Sequence, residues 1–139
     1  MTVDTQTSVK IQLTTRVRID DEIETYELTV FGTRYQKGNT IYLKYDEVQE
    51  EGTIHTVVKI LQDEAVIMRS GLIKMRLSFS LSEQKQGTHE STLGTIFLMT
   101  DTKKLSHEEG KLSLAYDLSM QGTLAGYYEM DLEYKEDKL

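Results

Sequence analysis

Apolar residues recur at every second position along most of this chain. Val9, Ile11, Leu13, Val17 and Ile19 mark one such run; Ile73, Met75, Leu77, Phe79 and Leu81 mark a second; Leu112, Leu114, Tyr116, Leu118 and Met120 mark a third. A period of two turns one face of a pleated strand into a dry interior and the other into water. No segment repeats at helical spacing. The pattern predicts an all-β, mostly antiparallel protein.

Turn-forming residues punctuate the runs at Asp20-Asp21, Lys37-Gly38-Asn39, Glu50-Glu51-Gly52, Gln62-Asp63-Glu64, Ser70-Gly71, Gln86-Gly87, Gly94, Glu109-Gly110 and Gln121-Gly122. Such residues tolerate positive φ or bond to their own backbone, so each lets an extended chain reverse. The expected strands are 8–19, 23–36, 40–48, 53–61, 64–70, 72–82, 88–93, 95–106, 111–121 and 123–135. Short connections favour an up-and-down order in which each strand pairs with the one before it. An open sheet of this size would leave two bare edges, and proline, a common edge guard, is absent. Closure removes the edges. The expectation is an antiparallel up-and-down (meander) barrel of 8–10 strands rather than a sandwich.

The 139 residues suit one domain, 1–139, with 1–7 a flexible N-terminus and 136–139 a frayed C-terminus. No cysteine is present, which excludes disulfides, thiol nucleophiles and Cys-ligated zinc, and fits a reducing compartment as well as secretion. The first residues lack the basic and apolar regions of a signal peptide, and no run is long enough for a membrane-spanning helix, so the cytoplasm is the expected location. The net charge of −7 is spread along the chain without a basic stripe. Nucleic acid and membrane are therefore not expected as partners.

Several ordered features resemble the YwiB-like β-barrel family, a bacterial domain of unknown function. They are Gly32-Thr33-Arg34-Tyr35, Ile41-Tyr42-Leu43-Lys44-Tyr45, Val66-Ile67-Met68-Arg69-Ser70-Gly71, Met75 and Phe79 on one strand phase, and Thr92-Leu93-Gly94-Thr95. Thr100 through Leu105, Glu109-Gly110-Lys111-Leu112, and Tyr116-Asp117-Leu118 leading to Gly122 and Gly126 continue the match over nearly the whole chain. The resemblance implies a calycin-like, lipocalin-type barrel and carries no established activity.

Polar side chains in phase with the apolar face point inward and need partners there. Alternation places Thr15, Glu24, Arg34, Tyr45, Glu47, Thr56, His89, Thr100, Tyr116 and Tyr128 in that set. Arg69 is ambiguous, since Ala65 and Ile67 share its phase while Val66 and Met68 share the other. In a ligand-binding barrel, Arg34 or Arg69 anchors an acidic head while the ligand body lies among Met75, Leu77, Phe79, Leu114 and Leu118. Tyr45, Tyr116 and Tyr128 then line the pocket. The alternative is an internal ion pair with Glu24 or Glu47 and tyrosines that simply fill the core.

Catalytic and metal signatures fail. His55, His89 and His107 lie far apart, and His107-Glu108-Glu109-Gly110 lacks the second histidine of a zinc helix. Ser70-Gly71 is not a nucleophile elbow, and Asp46-Glu47 and Glu50-Glu51 put adjacent carboxylates on opposite faces. The sequence thus names no catalytic residue, no metal ligand and no cofactor. The leading reading is a barrel binding a small apolar or amphipathic molecule, with a filled barrel acting as an interaction or scaffold protein as the alternative. An enzyme of unrecognised type is third, and a homodimer is left open.

Overall fold

Ten strands run antiparallel in sequence order and close on themselves, the first pairing with the last. The computed structural model describes residues 5–108 and 110–137. The strands are β1 (Thr5–Ile19), β2 (Glu22–Lys37), β3 (Thr40–Gln49), β4 (Gly52–Ile60), β5 (Glu64–Gly71), β6 (Lys74–Ser80), β7 (Lys85–Ser91), β8 (Gly94–Glu108), β9 (Lys111–Met120) and β10 (Thr123–Glu136). The meander barrel expected from alternation and short turns is the observed fold.

The differences are local. Thr5, Gln6 and Thr7, placed in a flexible terminus by the sequence, pair with Gln36, Tyr35 and Arg34 of β2. Residues 1–4, 138 and 139 lie outside the described residues, as does Glu109 of one expected turn. Gln86-Gly87 is not a turn but part of β7, because the chain reverses earlier, between Ser80 and Lys85. β6 is correspondingly shorter than its run of alternating residues, and Leu81 at the end of that run is exposed.

The β9–β10 turn shows how local chemistry sets a reversal. Met120 faces Thr123 across two residues, Gln121 at φ 49° and Gly122 at φ 85°. Positive φ at both central positions gives the turn the twist of its flanking strands. Glycine accepts that geometry freely, whereas a side chain at Gln121 strains it. Gln121→Gly is expected to raise unfolding free energy by about 0.5–1 kcal/mol, read from the urea midpoint. An unchanged or lower midpoint would contradict this account of the turn.

Closure is incomplete along one seam. β2 pairs with β3 only from Gly32 to Lys37, against Tyr45 to Thr40. Its first ten residues, Glu22–Phe31, pair with β1 alone and leave a bare edge towards β3. Where the two strands meet, no side chain fits at Gly32: a Cβ there would lie 2.3 Å from the Lys44 carbonyl oxygen. A second thin junction lies between β6 and β7, which share three paired positions, Lys74–Arg76 with Glu90–Thr88. Thr100 of β8 reinforces it by donating its hydroxyl to the Ser78 carbonyl.

The dry core fills the half of the barrel that holds the chain termini. Val9, Ile11, Leu43, Val58, Ile60, Ala65, Phe79, Leu112 and Leu132 are buried there. The other half, below the hairpins of β1–β2, β3–β4, β5–β6, β7–β8 and β9–β10, carries Tyr45, Glu47, Arg69 and Tyr128 among the polar inward residues.

Candidate functional site

A cavity of about 620 Å³ occupies the hairpin half of the barrel. β1 supplies Leu13, Thr15, Val17 and Ile19, and β2 supplies Glu24, Tyr26, Glu27 and Leu28 from its unpaired stretch. Tyr45 and Glu47 of β3 stand on the other side of the open seam, and Ile67, Arg69, Met75, Leu77, Tyr116, Leu118, Tyr128 and Met130 complete the wall. Both borders of the seam therefore line the cavity. The volume falls within the range of small-molecule sites.

The alternation of each strand decides which side chains reach this space. Arg69 pairs with Thr56 on one side and Met75 on the other without a register shift, so it follows Ala65 and Ile67 inward. Its guanidinium donates to Glu47 Oε1 at 3.1 Å. The two side chains are only 25% and 21% exposed, so the pair is shielded from water and satisfies the internal-pair expectation for Arg69. Arg69 is thus already engaged, not a free anchor for an acidic head.

Tyrosines form the remaining polar wall. The Tyr116 and Tyr128 rings stack with centroids 5.2 Å apart, and Phe79 packs against Tyr116 at 4.6 Å. Burial pushes the Tyr116 phenol far above its usual range, with the Tyr128 group adding to the effect. Burial raises Tyr128 as well, and Tyr45 is raised by burial and then by Glu47, with Arg69 and Thr56 opposing. All three hydroxyls are neutral at physiological pH. Tyr116 is 5% exposed, and among the described residues its hydroxyl forms no hydrogen bond. Tyr26 donates to the Glu24 carboxylate, and that bond, followed by the carboxylate charge, raises its pKa.

The structure brings together Tyr45, Arg69, Met75, Tyr116 and Tyr128 of the residues expected from sequence. It separates two others. Phe79 lies in the packed half with no exposed surface, supporting Tyr116 from the core side. Arg34 sits at the opposite mouth, in a depression of about 520 Å³ with Ile41, His107, Tyr134 and Glu136. Leu114 is likewise in the packed core and outside the cavity wall. Tyr26 was missed, although Glu24, Tyr26, Leu28 and Val30 share one phase and that phase was its signal. His107 was missed because a bulge between Thr102 and Lys104 moves the inward phase of β8 from even to odd positions.

The histidines take separate places. His55 Nδ1 is 2.7 Å from Asp46 Oδ1 on the outer surface, His89 pairs with Met75 and Ile96 on the inner phase of β7, and His107 Nε2 is 3.0 Å from the Tyr134 hydroxyl. No group of three His, Cys, Asp or Glu able to hold a metal occurs among the described residues. Burial first, and then the Arg34 guanidinium, hold the His107 imidazole below its usual range. Protonation therefore favours the unfolded chain. The stability contribution of neutral His107 is complete above an unfolded-state pKa of about 6.5 and is lost as pH falls below it. The urea midpoint of His107→Gln should fall less than that of the unaltered protein between about pH 7.5 and about pH 5. Parallel losses would remove His107 as a source of acid sensitivity.

Comparison with known proteins agrees with this architecture. The chain is 28% identical over 134 residues to the uncharacterized beta-barrel protein YwiB of Bacillus subtilis (strain 168), covering 94% of each. The crystal structure of the ywiB protein from Bacillus subtilis superposes with a TM-score of 0.80 at 25% identity, over 96% of this chain and 94% of that one. Residues 11–132 match the family model described as Domain of unknown function (DUF1934), and the chain belongs to that family.

Proposed function

We propose that this barrel is a binding protein for a small amphipathic molecule, held in the hairpin-end cavity and entering through the β2–β3 seam. The observation that carries the reading is a cavity of about 620 Å³ lined by the nearly buried Tyr116, whose hydroxyl forms no hydrogen bond among the described residues. A filled barrel would bury that hydroxyl against a partner or replace it with an apolar group. Apolar walls from Leu13, Val17, Ile67, Leu77, Leu118 and Met130 suit the ligand body, and Tyr116 suits one polar group. Exposed Ile23, Val48, Leu72 and Leu124 near the same end add apolar surface for capture. The cytoplasm is the compartment proposed, since a chain without cysteine is compatible with a reducing environment.

Native mass spectrometry of gently purified protein, compared with the same sample after denaturation, tests the reading. A mass increment that disappears on unfolding is expected. Met75→Trp, which places a bulky ring on the cavity wall, should abolish that increment while the barrel stays folded by circular dichroism. An increment that persists in Met75→Trp would move the ligand out of this cavity. A clean apo mass, together with no uptake of added amphiphiles, would end the ligand reading.

A further inference from the structure

The charges around the cavity are unequal. Three carboxylates, Glu24, Glu27 and Glu47, line it against one guanidinium, Arg69. Arg69 is held by Glu47 at 3.1 Å, so its charge is already answered. Glu24 and Glu27 have no cationic partner among the ion pairs of the described residues, and Glu24 accepts only the Tyr26 hydroxyl. An anionic head entering through the seam would pass two unpaired carboxylates and find its only guanidinium occupied. A cationic head would meet those carboxylates, the Tyr26 ring beside Glu24, and farther in the stacked Tyr116 and Tyr128. Aromatic faces attract cations through their quadrupole, and a neutral phenol oxygen accepts a hydrogen bond from an ammonium. The net charge of −7 adds long-range attraction of the same sign.

We propose that the molecule held in this cavity carries a cationic nitrogen head on an apolar body, with Glu24 and Glu27 recognising the charge at the seam. The proposal rests on the cavity being a ligand site, and it reverses the acidic head group expected when Arg69 is considered without its partner. Arg69 instead keeps Glu47 neutralised, so that the head group is drawn to the seam rather than to the barrel wall.

Isothermal titration with decyltrimethylammonium, decanoate and decanol, each below its micelle concentration, separates head-group charge from chain length. Saturable one-to-one binding of the cation is expected, at least about tenfold tighter than decanoate, with decanol between them. Glu24→Gln should weaken the cation about threefold, the size of one exposed charge contact, and leave decanol unchanged. Met75→Trp should remove saturable binding, since attraction to the acidic surface alone does not need the cavity. Equal binding of cation and decanol, or tighter binding of decanoate, would overturn the head-group assignment while sparing the ligand site. Cation binding that survives Met75→Trp would also overturn it, as surface association. Failure of all three probes to bind would overturn the ligand site itself, and this proposal with it.

Discussion

Phe79→Ala is expected to lower unfolding free energy by about 3–5 kcal/mol. The ring has no exposed surface and stands where the packed half of the barrel meets the hollow half. It pairs in register with Ala65, so no large neighbour on β5 can collapse into the space it leaves. The loss includes the removed apolar area and the void behind it. Its tilted contact with Tyr116 disappears as well, which frees the ring that stacks on Tyr128. Phe79→Leu keeps most of the volume and should cost less than half as much. Urea denaturation of both variants measures the difference. Similar small losses for both would mean that the hollow half relaxes into the gap.

Gly32→Ala is expected to cost about 1–3 kcal/mol and to lengthen the open seam. The added methyl would meet the Lys44 carbonyl oxygen at 2.3 Å, Tyr45 Cβ at 3.0 Å and Ile11 Cδ1 at 3.2 Å. Two of those neighbours are backbone or Cβ atoms, which move only if the strand moves. Gly32 and Tyr45 form the last pair before β2 and β3 part, so the strain falls on the junction that ends the seam. Amide hydrogen exchange should accelerate first in Thr33–Gln36 and Ile41–Lys44, ahead of the β1–β2 pairing. Uniform acceleration over the whole barrel would show that Gly32 supports global packing instead of this junction.

The unpaired edge of β2 is unusual for a closed sheet, and its residues explain how it is tolerated. Glu22, Glu24 and Glu27 sit along it, and Asp46, Glu47 and Glu50 follow the last β2–β3 pair on the other border. Carboxylates on both borders oppose closure of the seam and oppose edge pairing with a second copy. The same charges give the border of the cavity its negative character.

The sequence by itself determined the class of fold, most strand limits and the inner face of nearly every strand. Side-chain period, turn residues and edge avoidance are local properties, so Tyr45, Glu47, Thr56, Tyr116 and Tyr128 could be placed inward from alternation alone. Only the tertiary structure decided where along the barrel axis each inward residue lies. That height depends on cross-strand register, which put Arg34 at one mouth and Arg69 at the other although both point inward. It also decided the partner of Arg69, since Glu47 lies two strands away and alternation offered Glu24 equally. The open seam beside the cavity arises because β2 runs ten residues beyond its pairing with β3. Pairing length is a relation between two strands, and neither strand's own sequence contains it.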